Sequence, residues 1–219
     1  MMSSNTLTRA IGGQATLISS TVSDIFATLT VEKIHLRHII IDDLNYAVLS
    51  YLESYSSILE RLEMIRIYCM SAEESDALAE HFYSSVLPKH AKTIQVLKIQ
   101  PTFEGEWCYS PQVAAALSQC QRLASLTIVL PPTVPIKPSH SSDPSDGPYN
   151  FDHMFTSMAD LSLKLPHLKE VNLKSAMLEL DRNAPAYSSM HYDCVRSAIA
   201  SSLERFKHGN NTSAIQFTL

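Results

Sequence analysis

The sequence is poor in the residues that build several common functional sites. It has five glycines and one tryptophan in 219 residues, and its charged residues leave a net charge of −5. Loops that cradle phosphate groups need closely spaced glycines, and nucleic-acid binding needs a basic surface. The composition therefore argues against a phosphate-binding loop and against nucleic acid as the main partner.

Cysteines and long apolar runs are also scarce. The four cysteines are scattered, and His191 with Cys194 has no second pair beside it, so we expect free thiols, no metal and no cofactor. No apolar run approaches the roughly 18 residues of a membrane span. Residues 1–20 lack the apolar core of a secretory signal. We expect a cytoplasmic or nuclear protein that does not bind membranes.

One six-residue phrase, apolar-x-x-apolar-x-apolar, occurs five times along the chain. A phrase that recurs every 20 to 50 residues or so is typical of repeat proteins. We predict strands near residues 31–37, 62–68, 94–100, 123–129 and 168–174, and a weaker one near 213–218. Their apolar side chains should form one ladder between sheet and helices, made of Ile34, Leu36, Ile65, Ile67, Leu97, Ile99, Leu126, Ile128, Val171 and Leu173.

The segments between these strands have the apolar spacing of helices. Ser71 with Glu74 forms a capping-box pattern, and we expect Pro88 to end the helix that follows. Ser110 before Pro111 predicts another helix start. Strands that alternate with helices in this way favour a parallel sheet with right-handed crossovers.

The residues between the apolar strand positions are mostly polar, which predicts that one face of the sheet is open to solvent. We therefore predict an α/β fold with a single repeat domain over residues 1–219. It would be a right-handed β-α solenoid, with the parallel sheet on the concave face and the helices outside. Residues 130–148 hold six of the eleven prolines and many serines, and are predicted to be a flexible insertion.

The strand phrases carry a family resemblance. Residues 62–67 and 123–128, each followed by a helical segment, resemble the leucine-rich repeat in its long, ribonuclease-inhibitor-like form. The chain is similar to the repeat region of divergent fungal F-box/leucine-rich-repeat-like proteins, in which an F-box binds a Skp-type adaptor and the repeats hold the substrate. The resemblance implies a protein–protein interaction module. More specifically, it implies the substrate-recognition part of a ubiquitin-ligase-type receptor. Residues 1–30 have no Leu-Pro-x-Glu opening, so we expect no F-box in this chain.

The best candidate for a binding site is a set of polar and basic residues at outward positions of three predicted strands. A basic cluster on an acidic chain predicts that an acidic segment of another protein binds the concave face. An ordinary solvated sheet face is the alternative. The predicted column is His35, Arg66 and Lys98, and the residues beside it are Arg37, Tyr68 and Gln100.

A small α/β enzyme is the alternative to the interaction module. Its active site would lie at the carboxyl ends of the strands, near Arg37, Tyr68, Gln100 and Lys174. The sequence contains no G-x-S-x-G, H-E-x-x-H or P-loop motif, so we favour a protein that is not an enzyme. A repeat array exposes apolar surface at its ends, and self-association there is a further expectation.

Overall fold

Six parallel strands form one sheet in the computed structural model, and each strand pairs with its neighbours in chain order. The structure describes residues 15–69, 71–132, 151–182, 188–209 and 216–219. This arrangement confirms the predicted α/β class and the parallel sheet. The strands are β1 (His38–Ile41), β2 (Arg61–Ile67), β3 (Val96–Pro101), β4 (Ser125–Leu130), β5 (Glu170–Ser175) and β6 (Gln216–Thr218).

The helices pack against one another and against one face of this sheet. Neighbours in the chain are in contact, as α1 is with α2 and α6 with α7. Their buried side chains join the inward strand residues in a single apolar core. The helices are α1 (Ala15–Val31), α2 (Tyr46–Glu53), α3 (Ala72–His81), α4 (Leu87–His90), α5 (Pro111–Leu117), α6 (Asp152–Lys164) and α7 (Ser188–Gly209), with a π-helical turn at Phe82–Val86 and a 3₁₀ turn at Glu179–Arg182.

Polar side chains fix the starts of three helices. The Asn45 side chain accepts hydrogen bonds from the first turn of α2, at 3.0 and 3.2 Å. The Ser71 hydroxyl accepts from the Glu74 amide at 3.1 Å, and Ser110 accepts from Val113 at 3.2 Å. The starts predicted at Ser71 and Ser110 are thus confirmed, because each hydroxyl satisfies an amide that has no partner within its helix.

The prediction that Pro88 ends its helix is wrong. The chain stays helical through Pro88 to His90, and the π-helical turn Phe82–Val86 comes just before it. Proline lacks an amide donor and its ring clashes with the carbonyl four residues earlier in a regular helix. The wider π turn moves that carbonyl away, so the helix passes the proline without ending.

Two rows of inward side chains form the core ladder of the sheet. In β3, β4 and β5 this ladder contains the predicted residues Leu97, Ile99, Leu126, Ile128, Val171 and Leu173, all of which are buried. The prediction is therefore confirmed for these three strands. The register continues one row across the sheet, through Ile39, Leu62, Leu97, Leu126, Val171 and Phe217. The other row consists of two registered runs, Ile41 with Met64 and Ile99, and Ile128 with Leu173.

The first strand lies later in the chain than predicted. Ile34 and Leu36 precede β1 and are outside the sheet. The Tyr51 hydroxyl donates to the Ile34 carbonyl and accepts from the Leu36 amide, both at 2.8 Å. The Tyr55 hydroxyl donates to the Leu36 carbonyl at 3.0 Å. These side chains of α2 and the turn after it provide the hydrogen bonds that a neighbouring strand would have supplied.

The second strand contributes different ladder residues from those predicted. Leu62 and Met64 face the core, whereas Ile65 is partly exposed on the other face. Ile67 is buried, as predicted, but it lies beyond a register shift between Ile65 and Ile67. Arg66 at this irregularity has φ 55°. The extra residue in this bulge shifts the alternation of side chains, so that Ile67 faces the core.

Two predicted features fall largely outside the described residues. Of the insertion predicted at 130–148, Leu130 belongs to β4 and residues 133–150 are not described. Of the last strand phrase, near 213–218, only residues 216–218 are described and form β6. No helix in the described ranges is long and apolar enough to cross a membrane.

Candidate functional site

The sheet face that turns away from the described helices is a candidate binding surface, and we call it the open face. Its residues alternate with the buried ladder, since successive side chains on a strand point to opposite faces. Register aligns them in three rows across the strands. These are His38, Arg61, Val96, Ser125, Glu170 and Gln216, then Ile40, Glu63, Lys98, Thr127, Asn172 and Thr218. The third row consists of two registered pairs, Ile65 with Gln100 and Val129 with Lys174.

Charged side chains at the starts of the first two strands pair with one another. The Arg37 guanidinium binds the Glu60 carboxylate just before β2, and His38 Nε2 lies 3.5 Å from the same group. The hydrogen bond from Arg37 lowers the pKa of Glu60. This end of the open face therefore carries its own counter-charges.

Glu63 is a buried acidic residue in the middle row of the open face. Only 6% of it is exposed, and its carboxylate accepts a hydrogen bond from Arg61 Nε at 2.6 Å. Lys98 Nζ lies 3.6 Å from its other oxygen. A buried charge is costly unless it is paired, so the two cations explain how Glu63 is accommodated. Sequence analysis missed Glu63, although its place between Leu62 and Met64 marks it as outward once the register is known.

The predicted basic column of His35, Arg66 and Lys98 is wrong. His35 precedes β1, and its ring stacks on Tyr55 with centroids 4.8 Å apart. Arg66 lies at the bulge of β2 and pairs with Asp42 at 3.7 Å. Register aligns Lys98 with Glu63 instead. The correct neighbours are opposite charges, which attract, and not three cations.

The other predicted site residues are also separated. Arg37 lies at the amino end of β1, where its carbonyl accepts from Glu60 and Arg61. Tyr68 follows β2, is 53% exposed and lies 5.9 Å from the Phe103 ring between centroids. Gln100 is on the open face but only 8% exposed. The set of Arg37, Tyr68, Gln100 and Lys174 is therefore not one site, because Arg37 is at the opposite end of the sheet.

Arg182 occupies the carboxyl end of the sheet, and sequence analysis did not single it out. It donates to Glu179 at 2.6 and 2.8 Å and to the Cys69 carbonyl. Its guanidinium carbon is 4.4 Å from the centroid of the Phe103 ring. The side chain is only 5% exposed. It links the 3₁₀ turn after β5 to the chain that follows β2 and β3.

These contacts give little support for an enzyme active site at this edge. Burial is the main cause that raises the pKa of the Cys69 thiol, which disfavours the thiolate that a nucleophile needs. Within the described part of the chain, no three His, Cys, Asp or Glu residues come together to hold a metal ion. Arg182, the cation near Cys69, is bonded to Glu179 and to the Cys69 carbonyl.

Comparison with known proteins gives no family assignment. A scan against protein-family models finds no match to this chain, and a search of curated proteins finds no significant match.

Proposed function

We propose that this protein is a protein-binding module that holds its partner on the open face. The observation that carries the proposal is the difference between the two faces of the sheet. Helices in the described ranges pack on one face, and the inward ladder there is buried. The other face presents His38, Arg61, Lys98, Thr127 and Lys174 in aligned rows. Extended sheets of this kind serve as binding surfaces in repeat proteins.

The repeat architecture is part of the same proposal. Strand order follows chain order, and helices that are neighbours in the chain are in contact. A doubly wound sheet would instead reverse its strand order and carry helices on both faces. These features support a right-handed β-α solenoid of the leucine-rich-repeat kind, in which the open face is the concave one.

The ubiquitin-ligase role rests on the sequence resemblance alone. In that finer form the bound partner is a substrate in the cytoplasm or nucleus, and a Skp-type adaptor belongs to the same assembly. Capture of partners from a native lysate tests this form separately. A Skp-type adaptor among the captured proteins would support it, and partners captured without such an adaptor would leave only the general binding module.

A matched pair of tryptophan substitutions tests use of the open face. Thr127 lies in the middle row on β4, and Ala115 is exposed on α5 on the helical side. We expect Thr127→Trp to block the partner by its bulk, whereas Ala115→Trp adds the same side chain away from the site. Partners captured from a native lysate by each variant and by the parent are quantified by mass spectrometry.

The expected result is loss of specific partners with Thr127→Trp and their retention with Ala115→Trp. Circular dichroism confirms that both variants are folded. Equal capture by the parent and by Thr127→Trp would refute binding on the open face. Loss with both variants would point to a partner that does not distinguish the two faces, and would also count against the proposal.

A further inference from the structure

A groove of about 690 Å³ lies on the helical side of the sheet, between α3 and α5. Elsewhere, helices that are neighbours in the chain pack directly on one another, as α2 does on α3 and α5 on α6. Here α5 packs on the π-helical turn Phe82–Val86, which follows α3. Tyr83 and Ser84 of this turn line the groove. The turn thus lies between the two helices, and the space beside it is open to a partner.

Small and apolar side chains line both walls of the groove. Ala77 belongs to α3 and Ala116 to α5, and Tyr83 and the buried Val113 add to the apolar lining. Helix axes pack about 8–10 Å apart, and the distance depends on the side chains at the contact. Alanines on both walls therefore allow the apolar face of another helix to come close.

Four carboxylates also line the groove. Glu73, Asp76 and Glu80 lie on α3, and Glu106 lies in the turn before α5. Glu80 and Glu106 are exposed, and no cation among the described residues forms an ion pair with either of them. Glu63 on the sheet, by contrast, pairs with two cations of the chain. The groove therefore presents negative charge that a basic partner can neutralise.

The turn that carries Glu106 is fixed against α3. The Glu106 amide donates to Asp76 Oδ1 at 2.9 Å. Gly105 before it has φ 151°, which residues with a side chain rarely adopt. Trp107 after it is 1% exposed, and its carbonyl accepts from the Tyr83 hydroxyl at 3.2 Å. This end of the groove is held in place before a partner arrives, which lowers the conformational cost of binding.

The walls of the groove favour a helical occupant over an extended one. Helices such as α3 and α5 use most of their backbone groups internally, so they offer no edge to which an extended chain could bond. A helical occupant needs no such edge, because its own backbone groups are also bonded internally. Helices that bind in grooves bury a stripe of apolar side chains. Basic residues beside that stripe would face the carboxylates of the groove.

We propose that this groove, which we call the α3–α5 groove, binds a basic amphipathic helix of a partner protein. The apolar stripe of that helix packs on Ala77, Tyr83 and Ala116, and its arginine or lysine residues pair with Glu80 and Glu106. The groove is a second binding surface, on the opposite side of the sheet from the open face, and it goes beyond the proposed function. Because the two surfaces do not overlap, one chain can hold two proteins.

The first experiment titrates the full chain with a blocked peptide and follows the amide resonances of the chain by NMR. The probe, the arginine peptide, is two copies of Leu-Ala-Ala-Leu-Arg-Ala-Arg, in which arginines flank a leucine stripe. Its control carries uncharged citrulline in place of each arginine. We expect saturable shifts at Ala77, Gln112 and Ala116, and an affinity about tenfold or more lower for the citrulline peptide. Absence of saturable shifts, or equal affinity for the two peptides, would overturn the proposal.

A proline version of the arginine peptide tests the helical form of the occupant. Proline replaces the alanine between the two arginines of the first copy, which breaks a helix but leaves the charge unchanged. We expect an affinity about tenfold or more lower than that of the arginine peptide. Equal affinity would mean that an extended basic segment suffices, and would overturn the helical occupant.

A second matched pair of tryptophan substitutions locates the site. Ala77 and Ala115 are both exposed on helices, but only Ala77 lines the groove. We expect Ala77→Trp to weaken the arginine peptide by about tenfold or more, and Ala115→Trp to stay within about twofold of the parent. Circular dichroism checks that both variants are folded. Equal affinity in the two variants would overturn the groove as the binding site.

The carboxylates are tested by a pair of double variants. Glu80→Gln with Glu106→Gln removes two charges from the groove, and Glu32→Gln with Asp193→Asn removes two from exposed positions outside it. We expect the first double variant to weaken the arginine peptide by about fivefold or more, and the second to stay within about twofold of the parent. Equal affinity in the two would mean that net charge alone attracts the peptide, and would overturn the assigned contacts.

The open-face variant separates this inference from the proposed function. We expect Thr127→Trp to bind the arginine peptide as the parent does, because Thr127 is on the other side of the sheet. Loss of peptide binding in Thr127→Trp would place the peptide on the open face and overturn the groove. Partner capture by Thr127→Trp tests the open face alone, so either proposal can fail without the other.

Discussion

The register of β2 predicts different losses of stability when two of its apolar residues are truncated. Leu62 and Ile65 are both apolar strand residues three positions apart, but Leu62 is 1% exposed and Ile65 is partly exposed on the open face. We expect Leu62→Ala to lower the free energy of unfolding by about 2–5 kcal/mol, as for other buried leucines. Ile65→Ala removes partly hydrated methyl groups and should cost only about 1 kcal/mol.

A second pair of variants tests the start of β1 in the same way. Ile39 is 4% exposed within the strand, whereas Ile34 lies before it and is 39% exposed. We expect Ile39→Ala to cost about 2–5 kcal/mol and Ile34→Ala about 1 kcal/mol or less. The repeated sequence phrase instead predicts a large cost for Ile34→Ala and Ile65→Ala, because it assigns both residues to the core.

Urea unfolding followed by circular dichroism measures all four changes. The dependence of the free energy on urea should stay close to that of the parent, so that each shift in midpoint reports stability and not a change in the unfolded state. If Ile65→Ala is as costly as Leu62→Ala, or Ile34→Ala as costly as Ile39→Ala, the register described above is refuted.

Three further predictions concern pH, thiols and association. Burial lowers the pKa of His90 from its ordinary value of 6.5, so the unfolded chain binds the proton first and stability should fall as pH drops below about 6.5. In His90→Gln the urea midpoint should depend less on pH over that range. A pH dependence equal to that of the parent would contradict this prediction. Burial raises the pKa of Cys108 and Cys120 to about 12. Iodoacetamide at pH 8 should therefore label the exposed Cys194 before these two thiols. Labelling of Cys108 or Cys120 before Cys194 would contradict their buried placement. Self-association at the β1 edge stays a prediction. Ile40 is 43% exposed beside an apolar groove and should promote it, so light scattering should show less association for Ile40→Lys than for the parent. If the parent associates and Ile40→Lys associates equally, this edge is not the interface.

The sequence predicted the core face of β3, β4 and β5 because most of their apolar residues lie at alternate positions. Leu126 and Ile128, for example, alternate with Ser125 and Thr127, which places the two apolar side chains on the same face. In β2, by contrast, Leu62 and Met64 fit the core as well as Ile65 and Ile67 do. A shift of one residue in strand register exchanges the two faces, and the bulge that decides between them depends on backbone geometry.

The start of β1 could not be predicted from local pattern either. Ile34 and Leu36 are apolar and alternate, as a strand requires. Their backbone groups are instead bonded by hydroxyls of Tyr51 and Tyr55, which follow them by 15 to 19 residues in the chain. A periodicity argument contains no information about such contacts, because it considers only spacing along one element.

The candidate site was only partly visible for the same reason. Lys98 was correctly identified as an outward cation, but the carboxylate that faces it is fixed by register. Arg182 and Arg196 are far in sequence from the strands beside which they lie. Sequence alone can therefore locate charged residues on strands and helices, while the balance of charge at a surface depends on how the strands align.

The alignment of charges bears directly on where an acidic partner would bind. Arg61 and Arg66 are each joined to a carboxylate of this chain, so a partner must displace an existing ion pair to use them. Such an exchange yields little net free energy, since an attraction is lost as another is gained. Lys174 has no such pair among the described residues, and a carboxylate placed there adds an attraction without breaking one. Positive charge is thus most available at the β5 end of the sheet, although basic residues are more numerous at the β1 and β2 end.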